Sequence, residues 1–550
     1  MSASSKKKLR AAERAEQLTE RQLAEQKEAK KLKILTIAMV AAVALMVVGA
    51  IGVAVFNRVI APMEAKKEAE AMRNTVAATV GDHEITAAEY NCFYVDAVSN
   101  FYSQVGSYAT LYGLDVTKPL DQQIVDEETG TTWADEFKTS AESNIKSVYA
   151  ICDEAAANGF TLSEDDQTAI NNELASLAVN AISYGYSNVD DYLAAMYGAG
   201  ANEEVVRAYI EKCYTASMYR ASVAEAMEYT DADIQAKDAE DPNAYSNFSY
   251  NSYFLSTSKF LEGGTTAEDG TVTYSDEEKA AAIAAAEAVA KSLTGENITS
   301  IKDLDTAIAA LEINKEATTA ASTPYTDSAY SYLASAIQSW VADESRQAGD
   351  LTYLPSTTTD AEGKESINGY YVVWFTARND NDYQLANVRH ILAKFEGGTT
   401  DSTGVTTYSD AEKAAALKEA EAIYAQWKNG EATEESFAAL ANEKSDDGDG
   451  TTGGLYTDIY KGMMVESFND WIFAGHAAGE TEIIESEFGY HIMYALDASE
   501  QTYRQYMIEN ALLNEDITEW HDALVENVTV TGVNYEFVPT DMVISPASSY

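Results

Sequence analysis

Hydrophobic and polar positions change period several times along this chain. From Ile34 to Phe56 no residue is charged, and a helix rising about 1.5 Å per residue over that length crosses a hydrocarbon layer of roughly 30 Å. The pattern predicts one transmembrane helix over 34–56, longer than the apolar core of a cleaved signal peptide. A charged, Ala-rich stretch follows from Glu64 to Met72 and reads as a stalk within 57–75. Val76 to Ile85 then alternates loosely around a Gly-Asp turn, and Thr86 with Glu89 gives a capping-box start to a helix. Helical spacing continues to about Ala236, which predicts a mainly α domain over 76–246.

Beyond it the chain repeats itself. FLEGGTTAEDGTVTYSDEEKAAAIAAAEAVAKSL, from Phe260 to Leu293, returns as KFEGGTTDSTGVTTYSDAEKAAALKEAEAIYAQW, from Lys394 to Trp427. Each copy has a Gly-Gly turn, a second turn, and a helix start in which Ser275 or Ser409 pairs with Glu278 or Glu412. In the second copy Leu417, Ala420, Tyr424 and Trp427 form an apolar stripe at helical spacing. Both copies close on a β-rich run, NGYYVVWF (Asn368 to Phe375) and FGYHIMYA (Phe488 to Ala495). Two strand, helix, loop, strand modules are therefore expected, at 247–382 and 386–500. The tail, 501–550, predicts a helix from Gln501 to Asn527, a strand in VTVTGVNYEFV and a polar end.

Charge orients this plan. Residues 1–33 contain ten of the chain's 37 Lys/Arg but only five of its 89 Asp/Glu. The positive-inside rule puts this segment in the cytoplasm, leaving the rest of the chain outside a bacterial cell membrane, held by a single-pass helix. The strongly acidic remainder excludes nucleic-acid binding, which needs clustered Lys/Arg against phosphate. Cys92, Cys152 and Cys213 all fall in the helical region without metal-ligand spacing, and an odd number permits at most one internal disulfide.

Five histidines, His83, His390, His476, His491 and His521, offer no convincing hydrolase triad or metal set. His390 shares a strand face with Val388 and Leu392, and His491 shares one with Met493. Such strand histidines are more often core residues than catalytic ones. NVRHILAKF, SFAALANEKSDDGDGTTGGLY and GMMVESFNDWIFAGHAAGETEIIESEFGYHIMYAL nevertheless resemble, in order and spacing, the parvulin-type peptidyl-prolyl isomerases. The resemblance implies an α+β module with a four-stranded antiparallel sheet wrapped by helices. It implies catalytic His390, Asp447 and His491, and a proline pocket of Leu455, Met464, Phe468 and Phe488, with no cofactor and no metal. Gly453-Gly454-Leu455-Tyr456 lacks the Asp usual in the family's block there.

The first module departs from this pattern. Aligning Tyr253-Phe254-Leu255 with His390-Ile391-Leu392 puts Tyr253 at the first histidine position and Tyr371 at the second, while Trp340 keeps the place of Trp471. A degenerate, silent module is expected. VAATVGDHEITAAEYNCFYVDAV is similar to the start of the chaperone domain in PrsA-like and SurA-like foldases. Together these features lead to the expectation of a membrane-anchored foldase that isomerises X-Pro bonds in unfolded or nascent secreted polypeptides. The competing expectation is a non-enzymatic holdase using both modules to bind extended chain.

Overall fold

The computed structural model describes residues 62–544, apart from 268, 318, 360–362 and 449. The expected cytoplasmic segment 1–33, the membrane helix 34–56, the start of the stalk and the polar end 545–550 lie outside the described residues. Among the described residues no helix is long and apolar enough to cross a membrane. The described chain is mixed α+β with small antiparallel sheets, and it forms two compact units.

The first unit runs to Glu228 and takes in the chain again from Leu512. It opens with α1 (Pro62–Asn74) and a hairpin of β1 (Val76–Val80) and β2 (His83–Thr86). The turn at Gly81 has φ 54°, a left-handed conformation that glycine takes at little cost. Five helices follow: α2 (Ala87–Val105), α3 (Trp133–Ala157), α4 (Glu164–Ser183), α5 (Val189–Tyr197) and α6 (Glu203–Glu225). Their apolar faces bury Tyr90, Phe93, Tyr94, Ile145, Ile170 and Leu193 almost completely. The Thr86 cap is only half of the expected box. Its hydroxyl accepts from the Glu89 N–H at 3.2 Å, but the Glu89 carboxylate goes instead to Lys212 at 2.5 Å and Tyr149 at 2.6 Å. The three cysteines are free.

The second unit, Tyr229–Ala511, begins with α7 (Asp231–Glu240) and holds the two modules. The first contains β3 (Asn247–Ser256), α8 (Asp276–Ser292), α9 (Ile301–Ala309), β4 (Thr323–Ala329), α10 (Ser335–Val341), β5 (Leu351–Thr359) and β6 (Glu365–Asn379). The second contains β7 (Ala386–Lys394), α11 (Asp410–Asn429), α12 (Glu434–Lys444), β8 (Leu455–Ile459), α13 (Glu466–Ile472), β9 (Thr481–Glu485) and β10 (Gly489–Ala495). Strand order is β4-β3-β6-β5 in one sheet and β8-β7-β10-β9 in the other, antiparallel throughout. The sequence repeat is thus a repeat of topology.

Its most conspicuous residues serve local structure. Ser275 with Glu278 and Ser409 with Glu412 make reciprocal capping boxes. The other carboxylate oxygen of each Glu accepts at 2.9 Å from the N–H of Gly264 or Gly398, tying the Gly-Gly turn to the helix start. The buried stripe of α11 is Ala416, Ala420, Ile423 and Trp427, with Leu417 and Tyr424 on its flanks.

In the second module period-2 alternation sorts side chains between two cores. Ile391, Ala393 and Ile492 pack beneath α11 and α12 against Trp427, Phe437 and Leu440. Val388, Met493 and Ala495 point the other way and meet Phe468, Trp471 and Ile472 of α13. The tail forms α14 (Tyr503–Val525), but the expected strand shrinks to β11 (Val530–Thr531), paired with β1, before a 3-10 turn at Tyr535–Phe537. β1 offers five residues, but Gly532 at φ 65° breaks the extended backbone after Thr531, and the chain rejoins β1 only where Asn534 N–H donates to the Ala77 carbonyl at 2.7 Å.

Candidate functional site

The two central strands of the second module carry one histidine each. His390 on β7 pairs across the sheet with Met493, and His491 on β10 pairs with Leu392, so the two imidazoles sit diagonally on the face that meets α13. Both are buried. Their Nδ1 atoms are 3.1 Å apart. On the outer side of the pair, His390 Nε2 lies 2.9 Å from Asp447 Oδ2, and His491 Nε2 lies 2.7 Å from Ser486 Oγ. Tyr456 donates its hydroxyl to the same Asp447 oxygen at 2.7 Å.

Proton bookkeeping assigns a direction to this row. An ionised carboxylate only accepts, so His390 donates from Nε2, and with a single ring proton it accepts at Nδ1. His491 must then donate from Nδ1 and accept at Nε2, where the Ser486 hydroxyl donates. These tautomers are assigned from the network. The hydrogen bond from His390, helped by that from Tyr456, outweighs burial and lowers the Asp447 carboxyl to about 2. Burial, with the neighbouring His390, holds His491 down at about 4, and Asp447 opposes them only in part. Burial and the Asp447 charge push the Tyr456 phenol well above its usual value. Every ring N–H of the pair is used inside the row.

Asp447 is placed by the loop between α12 and β8. The Ser445 hydroxyl accepts from Leu392 N–H at 3.1 Å and from Asp447 N–H at 3.2 Å, while Asp446 N–H donates to the Leu392 carbonyl at 2.9 Å. Ser445 and Asp446 therefore continue the sheet edge in irregular form. The turn before β8 survives without the family's Asp because of its glycines. Gly454 has φ 67° and accepts from His390 N–H at 2.9 Å, and a Cβ on it would lie 2.1 Å from the His390 carbonyl oxygen.

The expected pocket residues fall into two groups. Phe468 stands edge-on to both imidazoles, at 5.1 Å and 5.2 Å between centroids, and Met464 packs in the same cluster. Leu455 does not join them. It pairs with Arg389 and so lies on the sheet face away from His390, 37% exposed, while Tyr456 turns its ring to within 5.1 Å of His390. One residue of register separates the two readings, and on a strand that reverses the face. Phe488 stands at the β9–β10 hairpin tip, 54% exposed, its N–H bonded to Ser486 Oγ at 3.1 Å.

Tyr456, Ser486 and Ser445 were missed from sequence. Strand alternation in the Gly453 to Ile459 run could have found Tyr456; nothing local marks the serines. The remaining histidines are structural: His83 pairs with Asp153, His476 stacks on Trp471 at 4.2 Å, and His521 bonds Ser147.

The first module's counterpart site also shifts. Tyr253 belongs to the core beneath α8 and α9, and its hydroxyl bonds Asn314. The residue paired as His390 is with Met493 is Ser252, opposite Val373. The surplus residues form the four-residue 3-10 turn Thr257–Phe260. Tyr371 does take the second histidine position and packs at 4.8 Å against Phe254. Trp340 of α10 keeps its place on that face.

Residues 370–499 match the family model described as the PPIC-type PPIASE domain. This part of the chain is a parvulin-type peptidyl-prolyl cis-trans isomerase domain, and the protein is an isomerase of that type. Among solved structures the chain is similar to PrsA from Bacillus subtilis, at 13% identity over 72% of this chain and 88% of that one, with a TM-score of 0.27. No curated protein matches the chain.

Proposed function

We propose that the chain is a membrane-anchored, extracytoplasmic foldase whose second module isomerises X-Pro bonds of secreted polypeptides, with His390, His491 and Asp447 as its catalytic groups. The observation that carries this reading is the directed row Ser486, His491, His390, Asp447 beneath the ring of Phe468. The barrier to X-Pro rotation, about 18 to 20 kcal/mol, is amide resonance. In the twisted transition state the nitrogen is pyramidal and the planar amide's polarity is reduced, so an apolar wall of Met464, Phe468 and Tyr456 favours it over the ground state. Because both ring N–H groups are committed within the row, the histidines do not hand a proton to the substrate. They fix the pocket's shape and hold the Asp447 charge beside it.

The first module serves as a binding unit in this reading. Ser252 and Tyr371 replace the histidines, and Phe254, Tyr371 and Tyr325 offer partly exposed aromatic surface for an extended chain. The leader's positive charge and the uncharged run 34–56 support the anchor. A proline-isomerisation assay on the full chain tests the core of the proposal. Turnover should be lost in His390→Ala/His491→Ala with the fold retained; undiminished turnover would refute it.

A further inference from the structure

The helical unit holds a half-open cavity, apolar over most of its lining, that the isomerase site does not use. It has a volume of about 300 Å³ and lies among α2, α3, α4 and α6. Two acids line it, Asp96 from α2 and Glu173 from α4, only 5% and 6% exposed. Each is clamped by a tyrosine of α6: Tyr209 donates to Asp96 Oδ2, and the Tyr214 hydroxyl bonds Glu173. Each also keeps one oxygen, Asp96 Oδ1 and Glu173 Oε2, with no hydrogen-bond partner among the described residues.

A buried acceptor without a partner costs about 1 to 3 kcal/mol, more when charged, so two on residues that line one cavity need a physical reason. Lys212, on the same helix as the tyrosines, does not supply the missing cation, being held by Glu89 at 2.5 Å. Burial raises the Asp96 carboxyl to about 8, with the Glu173 charge adding to it, and burial lifts Glu173 too. The aromatic lining narrows the choice of cation. Phe93 and Tyr209 pack edge to face at 4.8 Å in the cavity wall. A guanidinium is planar, weakly hydrated and stacks on such rings, and its five N–H donors can reach two carboxylates at once. A compact ammonium keeps its water more tightly and does neither as well.

We propose that this cavity receives the guanidinium of an arginine side chain carried by an extended polypeptide, with Asp96 and Glu173 accepting from it. The proposal rests on the foldase reading only for the polypeptide nature of the ligand. The test is calorimetric titration of the full chain with acetyl-Ala-Arg-Ala-amide, its citrulline counterpart, and guanidinium chloride. None contains proline, and isomerase turnover is measured on the same samples, so failure here leaves the isomerase reading intact. The arginine peptide is expected to bind at least about tenfold more tightly than the other two. Asp96→Asn and Glu173→Gln should each weaken it about tenfold while turnover and helical content stay unchanged. Equal binding of the citrulline peptide would overturn charge recognition, and equal binding of guanidinium chloride would reduce the cavity to a small-cation site. Absence of binding to the unaltered chain would overturn the proposal without recourse to any variant.

Discussion

The Nδ1 atoms of His390 and His491 face each other at 3.1 Å, and only one can carry a proton if the pair is neutral. That relationship ties the site's shape to pH. An unfolded histidine titrates near 6.5, whereas His491 is held at about 4 in the fold. Between those values the unfolded chain binds the extra proton, so the contribution is complete above about pH 6.5 and is lost as pH falls toward 4, at about 1.4 kcal/mol per unit. Asp447, lowered to about 2, stays ionised across this window. Hydrogen exchange of the β7 and β10 amides in the full chain should follow this slope, and His491→Asn should flatten it by one proton. Isomerase turnover should hold from pH 8 to about 5.5 and fall near 4.

Asp447 accepts from both His390 and Tyr456 at one oxygen. Asp447→Ala leaves two donors without an acceptor and should cost about 2 to 3 kcal/mol of stability along with turnover. Tyr456→Phe keeps the ring beside His390 and should cost about 1 kcal/mol. A double-mutant cycle of Tyr456→Phe with Asp447→Asn, followed by urea denaturation, should give a coupling of roughly 1 kcal/mol; a coupling of zero would show that the bond does not form.

Two glycines near the site separate strain from clash. Gly448 has φ 79° with nothing near a Cβ position, so Gly448→Ala pays only for the left-handed backbone, about 1 to 2 kcal/mol. Gly454→Ala adds collision with the His390 carbonyl and should destabilise by more, displacing β8 and lowering turnover. Comparable melting shifts for the two variants would contradict this reading.

Removal of both histidines from the second module also tests the first. With Ser252 and Tyr371 in their places, the first module should supply no turnover, and His390→Ala/His491→Ala should lose at least about tenfold, some 1.4 kcal/mol of barrier. Residual catalysis that vanishes only when Tyr371 is also replaced would assign activity to the first module.

Arg504 links distant parts of the second unit. Its guanidinium bonds Asp238 at 2.5 Å and 3.2 Å, the Pro242 carbonyl at 2.7 Å, and Ser246 Oγ and the Asp380 carbonyl at 3.2 Å each. Arg504→Ala strands these acceptors and should cost about 3 kcal/mol. Arg504→Lys should recover little of it, because an ammonium cannot reproduce the planar fork. Chemical denaturation of the full chain would measure both.

The sequence by itself determined whatever rests on local period and local chemistry. The two capping boxes, the Gly-Gly turns, the repeat and its strands, and the alternation that puts His390 with Val388 on one face all follow from neighbours a few residues apart. Tertiary structure decided the rest, because cross-strand register depends on residues far apart in sequence. Register set Tyr456 rather than Leu455 beside His390, and Ser252 rather than Tyr253 at its counterpart position. The β9–β10 hairpin brought Ser486 to His491, helix packing diverted Glu89 from its cap to Lys212, and the turn at Gly532 left the tail only a two-residue strand. A shift of one residue leaves a hydropathy pattern nearly unchanged yet reverses the face of every side chain on a strand, so only the folded sheet fixes which groups share a site.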